Sequence, residues 1–191
     1  THMAYFPFMI QLEGASCLVG GGGKVAARKV QMLVSFGAQV TVVAPKICEE
    51  LQNLNSEQVT IIERPLQEDD ILEKDVVVLA TDDAAVNHHY SELCKEKRIL
   101  VNVVDVKEDC GFYFPAIIRQ DEVVVSVSTG GSSPVLAAKI KKEIQKNLRP
   151  DLGVIAGEMA KQREQVLETI PEEADRKAYF EKELEQKWKS R

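Results

Sequence analysis

The chain has 191 residues, a formal net charge of −6, 45% hydrophobic and 28% charged residues, which is the profile of an ordinary globular protein of one generous domain or one domain with a smaller addition. No apolar run approaches the ~20 residues that a membrane-crossing helix needs, so a cytoplasmic protein without a membrane partner is expected. The acidic balance, broken only between residues 134 and 150 where five basic residues meet one acid, argues against nucleic acid and for an anionic small molecule.

Thr1-His2-Met3 looks appended to a native start, and His2 is set aside. Residues 5–14 read as a lead-in strand or edge segment that turns at Glu13-Gly14. A strand over 16–19 then runs into four glycines and a helix over about 24–36, closed by Gly37. The spacing Gly21-x-Gly23-x-x-Ala26 is that of a dinucleotide-binding turn. In it Gly21 permits the tight turn, Gly23 lets backbone approach a pyrophosphate, and Ala26 keeps helix and sheet close. Further strands are expected over 40–43, 59–63, 76–80 and 99–104, with a short helix over 47–54, a polar connection at Arg64-Pro65, and a helix capped within Thr81-Asp82-Asp83 that reaches Lys97. This alternation predicts a Rossmann-type, doubly wound parallel α/β sheet.

The rhythm changes after residue 111. Strands are expected over 112–118 and 123–128, then a glycine and hydroxyl loop ending at Pro134, and a helix over 134–148 with Leu136, Ile140 and Ile144 on one face. Arg149-Pro150-Asp151 marks a boundary, and two helices broken at Ile170-Pro171 complete the chain. The expected segments are 4–111, 112–149 and 150–191, that is, an α/β domain, a small α+β segment and a helical segment.

Ligands of open α/β sheets sit at the carboxyl ends of the strands. The residues there are Gly21, Gly22, Gly23, Lys24 and Val25 after the first strand, Pro45 and Lys46 after the second, Thr81 and Asp82 after the fourth, and Asn102 to Asp105 on the fifth. The acid that usually ends the second strand and holds the ribose is replaced by Ala44, so the residues leave NAD and NADP open. Lys46 reads either as a phosphate contact or as a surface charge. Asp105 reads either as a partly desolvated general base of raised pKa or as a turn-capping residue. Asp82 or Asp83 is an N-cap candidate, while Asn87 and Tyr90 look like surface neighbours. Adjacent His88 and His89 diverge by about 100° on a helix and do not share one ion. Ser128, Gly130, Gly131, Ser132 and Lys139 offer hydroxyls, backbone N–H groups and charge to a substrate, with a plain loop as the other reading. Cys17, Cys48, Cys94 and Cys110 form no C-x-x-C pair and are expected to be reduced thiols.

GGGKVAARK (21–29), VTVVAP (40–45), LATDDAAVN (79–87), NVVD (102–105), FPAII (114–118) and STGGSSPVLAAKIK (128–141) together resemble the precorrin-2 dehydrogenase and sirohydrochlorin ferrochelatase family of sirohaem synthesis. Gly20, where that family usually carries a bulky aliphatic residue, predicts a slightly looser turn. The resemblance implies a homodimer with a central dimerisation segment, NAD as cofactor without the usual acid, and a tetrapyrrole substrate whose carboxylates meet the basic segment from Lys139 to Arg149. It implies that Asp105 is the catalytic residue. If both activities are present, Asp105 is also a transient ligand for ferrous iron, the second substrate. A non-enzymatic NAD(H)-sensing module is the rival reading. An ordinary short-chain oxidoreductase is disfavoured, since no Tyr-x-x-x-Lys pair follows the dinucleotide unit.

Overall fold

The computed structural model describes residues 5–54 and 56–189. Thr1-His2-Met3 and the outermost ends of the first and last expected segments lie outside them. The chain divides into two compact units, the boundary falling between Tyr113 and Phe114.

Among the described residues no strand precedes Ser16. Residues 5–12 carry no regular structure, and Tyr5, Phe6, Phe8 and Met9 are exposed. Pro7 lacks the N–H that a ladder would need. The sheet consists of β1 (Ser16–Gly20), β2 (Gln39–Val43), β3 (Val59–Ile62), β4 (Val76–Leu79) and β5 (Leu100–Val103). The five strands are parallel in the order β3-β2-β1-β4-β5. β1 and β4 lie in the middle, and Cys17, Leu18, Val19, Val77, Val78 and Leu79 are wholly buried. That is why both read as unbroken apolar runs rather than alternating ones. The sequence order reverses between β1 and β4, which makes their carboxyl ends the crevice of this fold.

Helix α1 (Lys24–Ser35) packs Ala26, Ala27, Val30 and Leu33 into the core. α2 (Glu49–Gln52) is a single turn, shorter than expected. α3 (Ala84–Glu96) starts at Asp83, whose carboxylate accepts the N–H groups of Ala85 and Val86. The connection after β3 holds an unexpected 3₁₀ turn, Glu68–Ile71, that sends Ile71 into the core. Asp70 in that turn forms a two-pronged pair with Arg64, at 2.7 and 2.6 Å. Asn87 and Tyr90 are not surface residues: both are buried, and the Tyr90 hydroxyl donates to the Leu66 carbonyl at 2.9 Å. Gly20 does not loosen its turn. A side chain there would meet Leu66 and Leu79, and Ala80 N–H closes onto Gly20 O at 2.7 Å.

The second unit pairs β6 (Ala116–Gln120) and β7 (Val123–Val127) antiparallel, with Asp121 in a left-handed conformation at the turn. The first of these strands starts later than expected, after Pro115. Three helices follow, α4 (Pro134–Asn147), α5 (Leu152–Thr169) and α6 (Glu173–Lys189). On α4 the buried residue is Ala137 and Ile144 is half-buried, while Val135, Leu136 and Ile140 stay exposed, so most of the apolar face expected on this helix is uncovered in the single chain.

The Arg64 guanidinium holds the Asp70 carboxyl below its ordinary pKa, helped by the Gln67 N–H and opposed by partial burial. A carboxylate so lowered adds stability that is complete above the unfolded value of about 3.9 and is lost as pH falls through the folded value. Asp70→Asn is therefore expected to be less stable than the parent by a constant margin between pH 7 and 5. The margin should narrow as pH falls below about 4 in urea unfolding curves, and a margin that stays undiminished there would contradict the assignment.

Candidate dinucleotide site

The loops after β1, β2 and β4 meet at the glycine run. Gly21 has φ +128°, a region open to glycine, and a Cβ on it would overlap the Ala80 carbonyl and press on Thr81 N. A Cβ on Gly22 would overlap the Lys46 carbonyl oxygen and touch Ala44. Gly21 N–H donates to Val43 O at 3.0 Å, and Cys48 N–H donates to Gly22 O at 2.8 Å. Gly21 and Gly22 are thus demanded by protein backbone on both sides. Gly23 is different: its φ is −85°, and a Cβ there would have nothing within 4 Å. No protein neighbour requires glycine at this position, and it is exposed.

Gly23 is also the N-cap of α1, which has no side-chain cap and no acid in its first turn. The Ala27 N–H, bonded to Gly23 O at 3.0 Å, opens the helix's own ladder. A helix N-terminus left this way presents backbone donors and a partial positive charge to an anion. Open space where a Cβ would stand, beside uncapped donors, fits the pyrophosphate of a dinucleotide. Lys24 is turned to Glu50 at 3.4 Å, both exposed; Val25 is half-buried, and Pro45 and Lys46 are exposed beside the glycine loop.

The β4–α3 loop forms the next wall. Thr81 Oγ1 donates to Asn87 Oδ1 at 2.7 Å, and Asn87 Nδ2 donates to Thr81 O at 3.0 Å. Asn87 is a site-shaping residue that sequence reasoning missed, because the signal, an asparagine one turn into α3, becomes distinctive only once the loop folds over it. Asp82 is exposed, and its neighbour Asp83 is the cap. Asn102 is buried and points inward, donating through Nδ2 to Phe112 O at 3.0 Å. Its amide donors therefore serve the loop behind β5.

Asp105 lies in that loop, exposed and with φ +62°. The expected partial desolvation is absent in the single chain, because the strand ends at Val103 and the turn carries Asp105 out of the sheet. Among the described residues, one set of metal-type side chains converges: His88, Glu92 and Asp109, with ligand atoms within 4.8 Å. The Lys95 ammonium already stands there, 2.9 Å from Glu92 and 3.9 Å from Asp109. His89 turns the other way, to Glu68 at 3.3 Å. All four cysteines are free, and burial pushes the Cys17 and Cys94 thiols up to about 11.

In the second unit, Ser133 rather than Ser128 or Ser132 caps α4, accepting Leu136 N–H at 3.2 Å. Thr129 Oγ1 takes the Ser133 N–H and donates to Ser133 O, both at 3.1 Å. Gly130 and Gly131 take the left-handed positions of this loop, while Ser128, Ser132 and Lys139 are exposed. Arg149 does not belong to the basic surface. Its guanidinium is held by Asp151 at 3.0 and 2.9 Å, donates to Trp188 O at 2.7 Å and lies 4.4 Å from the Trp188 ring centre.

Comparison with known proteins places these features in context. A family model described as "Putative NAD(P)-binding" matches residues 8–116, and one described as "Sirohaem biosynthesis protein central" matches 125–147. A siroheme synthase of Thioalkalivibrio sulfidiphilus is 41% identical over 184 residues, 96% of this chain and 38% of its own length. That of Nitrosospira multiformis is 37% identical over 188 residues, 96% of this chain and 40% of its own. The chain thus spans about two fifths of the length of these curated relatives. The solved structure of SirC, a precorrin-2 dehydrogenase, superposes with a TM-score of 0.71 at 27% identity, covering 91% of this chain and 86% of that one. No helix among the described residues is long and apolar enough to cross a membrane. The chain thus belongs to the family of putative NAD(P)-binding domains, with an open glycine cradle in that domain, and carries behind it the central segment of sirohaem biosynthesis proteins.

Proposed function

We propose that the chain is an NAD-dependent precorrin-2 dehydrogenase, oxidising precorrin-2 to sirohydrochlorin. The observation that carries this reading is Gly23, open and uncapped at the start of α1 within a chain of this family. The dinucleotide, when bound, supplies the hydride acceptor. Gly21, Gly22, Gly23, Lys24 and Val25 would hold its phosphates, with Pro45, Lys46, Thr81 and Asp82 lining the rest and Asn102 bracing the loop behind β5. With Ala44 where a ribose-binding acid would usually stand, NAD is the choice the family resemblance favours.

The reaction removes two hydrogens from the tetrapyrrole. One leaves as hydride with its electron pair to the nicotinamide, and the other leaves as a proton, creating one further double bond in the macrocycle. Asp105 is the proposed acceptor of that proton, supported by its place on the loop after β5, at the carboxyl end of the sheet. An exposed carboxylate there becomes an effective base when substrate covers it and excludes water. Ser128, Gly130, Gly131, Ser132 and Lys139 are proposed to bind the substrate's carboxylates. The uncovered Val135, Leu136 and Ile140 on α4 support a homodimer. Ferrous insertion into sirohydrochlorin would use the same carboxylate to take a pyrrole proton or to bind the incoming iron transiently.

Gly23→Asp separates ligand from fold. The new carboxylate is a good helix cap, which leaves the melting temperature unchanged or raises it, and it puts a negative charge where the phosphates bind. NADH affinity by fluorescence titration should fall at least tenfold, and unchanged affinity would refute the cradle. Asp105→Asn tests the base: in an anaerobic assay with precorrin-2 and NAD it should keep NADH binding and lose at least 100-fold in turnover. Parental turnover would remove Asp105 from the mechanism. Addition of ferrous iron to the parent's product then reads the second step, which enzyme-independent rates would exclude. Binding of NADH with no turnover by the parent chain would favour the sensing module.

A further inference from the structure

The turn that carries Asp105 is gripped on both sides by one sulfur. Cys110 Sγ accepts the Val103 N–H at 3.2 Å and lies 3.1 Å from Val103 O and 3.2 Å from Val106 O, so its S–H has an acceptor at either end of the Val104-Asp105 turn. Asn102 Nδ2 approaches the same sulfur at 3.5 Å while bonding Phe112 O. The returning chain is fixed in turn by Gly111 N–H, which donates to Val101 O at 2.8 Å. Between these anchors Asp105 holds φ +62°, a conformation that costs a non-glycine residue about 1 kcal/mol and persists only where its surroundings impose it. Burial raises the pKa of the Cys110 thiol and keeps it protonated, the form with a hydrogen to donate. Burial, with Arg28 adding to it, lowers the pKa of Lys29 on α1, and the charge of Asp105 opposes that shift, so the carboxylate lies within the electrostatic reach of this cation.

We infer that Cys110 is a positioning residue: by clamping Val103 and Val106 its thiol fixes the turn between them and so sets the direction of the Asp105 carboxylate. The catalytic consequence rests on the reading of Asp105 as the base, whereas the clamp is a physical statement with its own readout. A sulfur suits the task because it is large enough to reach two carbonyls and an N–H at distances over 3 Å. The shorter serine hydroxyl preserves donor and acceptor but reaches less far.

The test uses the whole chain with Cys110→Ala, Cys110→Ser, Asp105→Asn and the double variant Asp105→Asn with Cys110→Ala. Two measurements are made on each: kcat and KM for precorrin-2 with NADH affinity, and amide hydrogen exchange over residues 103–106. Cys110→Ala should lower kcat at least tenfold with KM and NADH affinity within twofold of the parent, and should speed exchange at Val103 at least tenfold. Cys110→Ser should recover at least half of the lost kcat on a logarithmic scale, and Cys110→Ala should cost less than twofold once Asp105 is already Asn. A kcat within twofold of the parent, a loss confined to KM, or an equal loss in the Asp105→Asn background would overturn the positioning role. If Asp105→Asn keeps parental turnover, the base assignment falls, and hydrogen exchange alone decides the clamp: unchanged protection at Val103 in Cys110→Ala refutes it. Should Cys110→Ala fail to fold, Cys110→Val, similar in volume and without a donor, takes its place under the same criteria.

Discussion

Three loops can meet at the head of this sheet only because two residues between them have no side chain. At Gly21 the backbone comes against Ala80, and at Gly22 against Lys46, so closely that a Cβ would overlap a carbonyl oxygen in each case. Forcing such an overlap into packed backbone costs of the order of 1–3 kcal/mol or rearranges the loops. The consequences spread outward from that contact. The loop after β2 is held by Cys48 N–H on Gly22 O, the loop after β4 by its seat against Gly21, and α1 is aimed by both. Gly23 follows these two in sequence and shares none of their constraint. Its freedom is what leaves a cradle rather than a filled corner.

Away from the glycines, the loops at this end of the sheet are shaped by polar side chains folded back under them. Asn87 takes up both the hydroxyl and the carbonyl of Thr81, and Asn102 and Cys110 do the same for the segment between Val103 and Phe112. Asn87 and Asn102 are buried and Cys110 is half-buried, and an unmet donor or acceptor out of water costs about 1–3 kcal/mol, so each has a strong reason to hold its loop in one shape. Preorganised loops suit a site that must place a carboxylate against a bound substrate, since positioning achieved in the folded state is not charged to the reaction. Asp105 rides on such a loop and is exposed in the single chain, so in its proposed role as base the desolvation would come from the bound substrate.

In the second unit Arg149 is used differently from the surface lysines of α4. Arg149 ties the junction of α4 and α5 to the end of α6 through Asp151 and Trp188, and Gln120 bridges the Arg149 carbonyl and the Leu152 N–H from the hairpin. Gly153 lets the first turn of α5 approach Asp121 and Gln120, where a side chain would collide. With Arg149 so employed, Lys139 and Lys142 are left as exposed charge on α4, beside an apolar stripe that the single chain does not cover.

Much of this was written locally. The strand and helix rhythm, the glycine spacing, Pro134 behind its serine cap and Asp83 as the start of α3 are short-range features, because helical and strand periodicities and caps depend on neighbours a few residues away. The sequence by itself therefore determined the doubly wound sheet, the position of the phosphate-type turn and the change of architecture near residue 112. It missed what depends on partners far along the chain. Leu66 filling the space over Gly20, Tyr90 and Asn87 buried rather than exposed, Arg149 drawn to Trp188, and Lys95 standing among His88, Glu92 and Asp109 join residues or loops that only folding brings together. Gly22 belongs to the same class. The fingerprint spacing singled out Gly23 and left Gly22 without a task, and only the tertiary structure, by putting the Lys46 carbonyl against Gly22 and open space against Gly23, showed that the protein itself demands the one and not the other.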